Sequence, residues 1–110
     1  KPKTKATAIQ IGKPSNIAKG LRALDFTDGI VEEVTDKEML DGMSVVGLNG
    51  FDCEMASGAS VAGIKKLRDK EIIKKDDKVV GILTGRQKEP LLPIDYHNNP
   101  ENRFARPPKI

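Results

Sequence analysis

Apolar and polar positions along the chain follow two different periods, which together predict alternating helices and strands. Apolar residues recur at helical spacing over 16–24 and predict a first helix. The apolar runs at 30–34 and 79–83 are typical of strands, and the second is apolar enough to be buried on both faces. Near the start, the alternation over 8–11 predicts a short strand or an ordered loop.

Two further helices are predicted from local signals. The sequence TDKE, residues 35–38, has the pattern of a helix-capping box, in which Thr35 accepts the amide of Glu38 and Glu38 reaches back to Thr35. Apolar residues at helical spacing follow it, and the Asn-Gly pair at 49–50 is a helix stop. A third helix is predicted over about 57–70.

The first half of this third helix consists almost wholly of Ala, Ser and Gly. Small residues at a helix start leave room and free amide donors for a cofactor or an anion. They also permit tight packing of the helix on a sheet. This second interpretation is favoured, because the segment lacks a phosphate-loop pattern.

The order of the predicted elements is the one that α/β domains show. Alternating helices and strands predict a three-layer α/β/α architecture with a mostly parallel sheet. Two or three strands cannot complete such a sheet, so we expect residues 1–90 to be a portion of a larger domain. Residues 90–110 contain five of the seven prolines, and we expect 91–110 to be an extended tail with little regular structure.

Composition narrows the functional classes. The 19 Lys and Arg residues against 16 Asp and Glu give a net charge of +3, and the two signs are interleaved, which argues against a nucleic-acid surface. No apolar run reaches membrane-spanning length and no signal peptide is recognisable, so we expect no membrane partner and a cytoplasmic protein. Cys53 is the single cysteine and His97 the single histidine. A buried thiol and a surface imidazole are favoured over a catalytic pair. One Cys and one His also give no support for a metal site.

The main candidate for chemistry is the predicted strand exit Thr84-Gly85, within the sequence KVVGILTGRQKEP. In open parallel sheets ligands bind at the carboxyl ends of strands, where Thr84 offers a hydroxyl donor and Gly85 admits a ligand. The alternative is an ordinary strand exit, which chemistry alone favours because Thr and Gly are common in turns. Arg86 and the basic residues after it are interpreted as solubilising charge, although they could bind an anion.

Four segments, in order and at similar spacing, resemble threonine synthases. They are ATAIQIGKPSN from residue 6, DGIVEEVTDKEML from residue 28, CEMASGASVAGIKKL from residue 53 and KVVGILTGRQKEP from residue 78. The resemblance covers roughly residues 4–90 and corresponds to the C-terminal part of the family's chain. The family consists of pyridoxal-phosphate enzymes of the tryptophan-synthase-β type, or fold type II, which convert O-phosphohomoserine and water to threonine and phosphate.

The resemblance implies roles for particular residues. Thr84, followed by Gly85, is expected to hydrogen-bond the pyridine nitrogen of pyridoxal phosphate, and Ala6, Thr7 and Ala8 are expected to lie against one face of its ring. The family's Schiff-base lysine and phosphate loop lie upstream of the matching segments and are absent here. No residue of this chain is therefore expected to be catalytic, and we expect the 110-residue chain alone to be inactive.

Two departures from the family pattern and two alternative functions remain open. After Gly85 the chain is one residue shorter than the common pattern, so no role is transferred to 86–89, and Met55 replaces a usual proline. A threonine or serine dehydratase of the same fold would use a similar hydroxyl, and a non-catalytic module could keep the core without the chemistry. The expected partners are an amino-acid substrate and the rest of the same enzyme chain, with a homodimer left open.

Overall fold

A computed structural model describes residues 2–86 of the chain. Its regular elements are a single 3₁₀ turn η1 and three α-helices: η1 Thr7–Ile9, α1 Ile17–Thr27, α2 Asp36–Leu48 and α3 Met55–Asp69. All three predicted helices are confirmed, although α3 begins two residues before the predicted Ser57. No helix within the described range has both the length and the apolar character needed to cross a bilayer.

Helix α2 begins with the predicted capping box. The Thr35 side chain accepts a hydrogen bond from the Glu38 amide at 3.3 Å, and the Thr35 amide donates to the Glu38 carboxylate at 2.6 Å. These bonds satisfy two backbone groups that a helix start leaves without partners. The Thr35 amide, followed by the Thr35 hydroxyl, holds the pKa of Glu38 below its usual range. The helix ends at Leu48, Asn49 is its C-cap, and Gly50 follows in the left-handed region at φ +82°.

Helices α2 and α3 pack together at a pair of glycines. A Cβ atom on Gly42 would overlap the carbonyl oxygen of Gly58 and lie 3.1 Å from the Ala62 amide nitrogen. A Cβ atom on Gly58 would overlap the carbonyl oxygen of Met39 and lie 3.0 Å from the Met43 amide nitrogen. The two backbones are therefore in direct contact. The small residues of α3 serve close packing, as the sequence favoured, but the partner is a helix and not a sheet.

The core around this crossing is small. Its buried apolar residues are Ala6, Met39, Val46, Cys53 and Ala62. Helix α1 buries none of its residues, and its apolar side chains Ile17 and Leu21 are 57% and 60% exposed. Within the described residues the packed unit is therefore α2 with α3, and η1 contacts α3.

The predicted strands at 30–34 and 79–83 are not found, because residues 2–86 contain no β-strand. A strand is stabilised by ladder hydrogen bonds to a neighbouring strand, and neither segment has such a neighbour here. Segment 30–34 is instead attached to the end of α3, where the Lys66 ammonium donates to the Glu33 carbonyl at 2.7 Å and Lys70 pairs with Glu32.

The alternating stretch over 8–11 takes the second of its two predicted forms, an ordered loop. It contains the end of the 3₁₀ turn η1, which is closed by a hydrogen bond of 3.1 Å from the Ile9 amide to the Ala6 carbonyl. A single turn satisfies these backbone groups without a partner strand. The predicted tail, residues 91–110, lies outside the described residues.

Replacing Gly42 with alanine tests the helix crossing. We expect Gly42→Ala to destabilise the fold by about 1–3 kcal/mol, because the added methyl group meets backbone atoms that cannot rotate away. The measurement is the urea-unfolding midpoint of the complete protein.

The matched control is Gly47→Ala, in the same helix, where a Cβ would meet nothing within 4 Å. We expect this control to be neutral or stabilising by up to about 1 kcal/mol, through helix propensity alone. Equal effects of the two substitutions would contradict the backbone contact.

Candidate functional site

The predicted site residues Thr84 and Gly85 lie against the first turn of α3. The Gly85 amide donates to the Ser57 hydroxyl oxygen at 3.1 Å, and the Ser57 hydroxyl lies 3.2 Å from the Gly85 carbonyl, to which it can donate. The Glu54 amide, at the N-cap of α3, also donates to that carbonyl at 3.0 Å. Gly85 is therefore fixed through both its backbone groups.

Thr84 is exposed, and its hydroxyl oxygen lies 3.4 Å from the Ser57 hydroxyl oxygen. Either oxygen can be the donor in this contact. The Thr84 hydroxyl thus has one polar neighbour on α3 and belongs to an exposed residue. Such a group can donate one hydrogen bond to a ligand atom placed above it.

The space beside Gly85 is next to the Glu54 side chain. A Cβ atom at this position would lie 2.9 Å from the carboxyl carbon of Glu54. This carboxyl group is the end of a flexible side chain, which can turn away. The prediction that Gly85 admits a ligand stays a prediction.

The second predicted group, Ala6 to Ala8, is held by the start of α2. The Asp36 carboxylate accepts hydrogen bonds from the Thr4 hydroxyl and, at 2.9 Å, from the Lys5 amide. The Ala6 amide in turn donates to the Thr4 hydroxyl oxygen at 3.0 Å. The Thr4 hydrogen bond, with the Lys5 amide second, holds the pKa of Asp36 below its usual range.

The two predicted groups meet the same helix but not each other. Ala6 is 2% exposed, Thr7 and Ala8 are exposed, and η1 packs against α3. Within residues 2–86, no hydrogen bond joins residues 6–8 to Thr84 or Gly85. The structure therefore brings both groups to α3.

The remaining candidates are not arranged for chemistry. Cys53 is 1% exposed, and burial, helped by the neighbouring Asp52 and Glu54 charges, raises the pKa of its thiol. It therefore stays protonated at neutral pH and is a poor nucleophile. Arg86 is exposed and lies 3.6 Å from Asp52. His97 lies outside the described residues.

Sequence reasoning missed Ser57 and Asp36 as supporting residues. Ser57 appeared only as one of several small residues in α3, and Asp36 only as part of the capping box. Each makes its contacts across about thirty residues of sequence, Ser57 with Gly85 and Asp36 with Thr4. The available signal was a lone hydroxyl or carboxylate at the start of a helix, which by itself is more often a cap.

Comparison with known proteins identifies relatives of this chain. Residues 1–85 match the family described as pyridoxal-phosphate dependent enzyme. The threonine synthase of Methanosarcina acetivorans is 45% identical over 101 residues, which are 90% of this chain and 25% of that protein. The threonine synthase of Methanocaldococcus jannaschii is 42% identical over 85 residues, 76% of this chain and 21% of that protein. The chloroplastic threonine synthase 2 of Arabidopsis thaliana is 34% identical over 110 residues, 96% of this chain and 21% of that protein.

The chain spans about a quarter of the length of the curated relatives it matches. The match to the family covers both groups of site residues, Ala6 to Ala8 and Thr84-Gly85.

Replacing Asp36 with alanine tests how the Ala6 segment is held. Because the folded-state pKa of Asp36 is below its usual value, its ionised form stabilises the fold at neutral pH. That stabilisation is complete above the usual pKa and is lost as the pH falls through the lowered folded-state value. In Asp36→Ala we expect faster hydrogen exchange at the Lys5 and Ala6 amides at neutral pH, with less pH dependence of their protection.

The matched control is Asp41→Ala on the same helix, where Asp41 pairs with Lys37 at 3.7 Å. It should leave the exchange of the Lys5 and Ala6 amides unchanged. Unchanged protection in Asp36→Ala would show that the segment is held by other contacts.

Proposed function

This chain belongs to the family of pyridoxal-phosphate dependent enzymes, and we propose that it is the C-terminal part of a threonine synthase. The complete enzyme would be a carbon–oxygen lyase of threonine biosynthesis that converts O-phospho-L-homoserine and water to L-threonine and phosphate. Support comes from relatives named threonine synthase, at 34–45% identity, along nearly the whole chain.

The family is α/β, whereas residues 2–86 contain helices alone. We propose that residues 1–90 complete a three-layer α/β/α domain with a mostly parallel sheet, in which segments 30–34 and 79–83 gain neighbours from the rest of the chain. Their apolar side chains support this, since Val80 and Ile82 are 88% and 69% exposed here. Residues 91–110 would follow as an extended, proline-rich tail.

One observation carries the assignment of the cofactor site: Thr84 is an exposed residue, and its hydroxyl oxygen lies 3.4 Å from that of the buried Ser57. Bound pyridoxal phosphate supplies an electron sink for reactions at the substrate amino acid. The Thr84 hydroxyl fits a hydrogen bond to its ring nitrogen. A neutral hydroxyl leaves that nitrogen largely unprotonated, whereas a carboxylate at this place would favour the protonated form.

The other site residues would shape the space around the ring. Ala6, Thr7 and Ala8 have small side chains, and Thr7 and Ala8 are exposed where they could lie along one ring face. The lysine that holds the cofactor covalently and the loop that binds its phosphate would come from the rest of the enzyme chain. The 110-residue chain alone would therefore be inactive.

We place the complete enzyme in the cytoplasm, since the single Cys53 suits a reducing compartment. Its partners would be the amino-acid substrate and, as an open alternative, a second copy of the enzyme in a homodimer.

The reaction distinguishes the synthase from a dehydratase of the same fold. We expect the complete enzyme to release inorganic phosphate and threonine in equal amounts from O-phosphohomoserine. The measurement is a phosphate assay together with amino-acid analysis, with enzyme stripped of cofactor as the control. Formation of 2-oxobutyrate from threonine, without turnover of O-phosphohomoserine, would assign the dehydratase instead.

Thr84→Val tests the contact with the ring nitrogen, because valine keeps the shape and removes the hydroxyl. We expect roughly threefold to tenfold weaker cofactor binding, the range that one hydrogen bond contributes, and a lower kcat. Thr84→Ser keeps a hydroxyl and should retain most of the cofactor affinity and most of the kcat. The measurements are a cofactor titration of the apoenzyme and steady-state kinetics.

The control is Thr27→Val at the end of α1, where the hydroxyl donates only to the Ala23 carbonyl of its own helix. Thr27→Val should change neither the cofactor affinity nor the kcat. Full cofactor affinity in Thr84→Val would remove Thr84 from the site.

A further inference from the structure

Ser57 is a buried polar side chain of α3, with 0% of its surface exposed. We propose that Ser57 is a positioning residue, which orients the Thr84 hydroxyl toward the ring nitrogen of the cofactor. The inference rests on the proposed function only in that it needs pyridoxal phosphate at Thr84. It would hold for any reaction of this enzyme family.

The contacts of Ser57 are not those of a helix cap. A capping serine bonds to amides of its own helix, but the Ser57 hydroxyl bonds to residues 27 and 28 positions away. Its oxygen accepts from the Gly85 amide at 3.1 Å, and it has neighbouring acceptors in the Gly85 carbonyl at 3.2 Å and the Thr84 hydroxyl at 3.4 Å. The side chain therefore serves the Thr84-Gly85 segment.

The hydroxyl protons of Ser57 and Thr84 can be arranged in two ways. A serine hydroxyl has one proton to donate and two lone pairs. The Gly85 amide occupies one lone pair, so the single Ser57 proton goes either to the Gly85 carbonyl or to the Thr84 hydroxyl. In the first case Thr84 can donate its own proton back to Ser57. In the second case Thr84 accepts from Ser57, and its own proton is free to point outward.

The Gly85 carbonyl makes the change between these two arrangements inexpensive. When the Ser57 proton turns to Thr84, this carbonyl keeps the hydrogen bond from the Glu54 amide at 3.0 Å. The change therefore leaves no buried acceptor without a partner, and the free-energy cost of an unsatisfied acceptor is avoided. With the cofactor bound, the Ser57 hydroxyl would donate to the Thr84 oxygen, and the Thr84 hydroxyl would donate to the ring nitrogen. Each hydroxyl in this relay then donates one hydrogen bond.

The test is Ser57→Ala in the complete enzyme, with two readouts besides activity. Hydrogen exchange at the Gly85 amide should accelerate, because the amide loses its acceptor. Cofactor affinity of the apoenzyme should fall roughly threefold to tenfold, as expected for one hydrogen bond. Ser57→Cys, whose thiol is a weaker donor and acceptor, should give a smaller loss and provides a second variant if Ser57→Ala does not fold.

Two comparisons separate positioning from general stabilisation. Ser60→Ala, one turn further along α3, should change neither readout, since Ser60 makes no hydrogen bond to Thr84 or Gly85 within the described residues. In a double-mutant cycle, Ser57→Ala should cause little further loss of cofactor affinity when added to Thr84→Val, because both remove the same relay.

The outcomes are distinct. Unchanged cofactor affinity in Ser57→Ala, or a full additional loss on top of Thr84→Val, would overturn the positioning role. A complete enzyme that forms no threonine but shows the coupled loss of cofactor affinity would overturn the proposed reaction and support the role of Ser57.

Discussion

Direct contact between the backbones of α2 and α3 is the constraint on which the candidate site depends. At Gly42 and Gly58 no side chain separates the two helices, and each glycine faces a carbonyl of the opposite helix. Ser57 precedes Gly58 and, one residue away on the helix, points about 100° away, toward Thr84 and Gly85. The same turn of α3 thus packs on α2 through Gly58 and contacts the candidate site through the preceding residue, Ser57.

The peripheral segments are attached by polar bonds at the ends of helices, because the core is too small to hold them. Asp36, the first residue of α2, binds the Thr4 segment. Lys66 in the last turn of α3 and Lys70 at its C-cap bind Glu33 and Glu32, respectively. Polar contacts of partly exposed side chains contribute little stability individually. Their effect here is on the placement of the two segments relative to α2 and α3.

Local signals explain which features could be predicted from the sequence. The capping box of Thr35 and Glu38 involves four consecutive residues, and the helical spacing of apolar residues lies within a single helix. Both signals can therefore be recognised in a short stretch of sequence. Strands at 30–34 and 79–83 require neighbours that residues 2–86 do not supply. Thr84 and Ala6 to Ala8 were predicted through family resemblance, whereas the contacts of Ser57 and Asp36 depend on the folded arrangement of distant segments.

The register of segment 79–86 explains why Gly85 faces α3 whereas Thr84 is exposed. In an extended chain, alternate side chains point to opposite sides. A Cβ on Gly81 would lie 3.0 Å from the Ile64 side chain of α3, whereas Val80 and Ile82 are more exposed than Val79 and Leu83.

Gly85 belongs to the set that faces α3, and Thr84 to the set that faces outward. This parity places Gly85 against Glu54, while Thr84 remains an exposed residue whose hydroxyl oxygen lies 3.4 Å from that of Ser57. A shift of register by one residue would bury the Thr84 side chain against α3 and bring residue 85 outward. The exposure of the Thr84 side chain therefore follows from the alternation along the whole segment, in which Gly81 and Gly85 face α3.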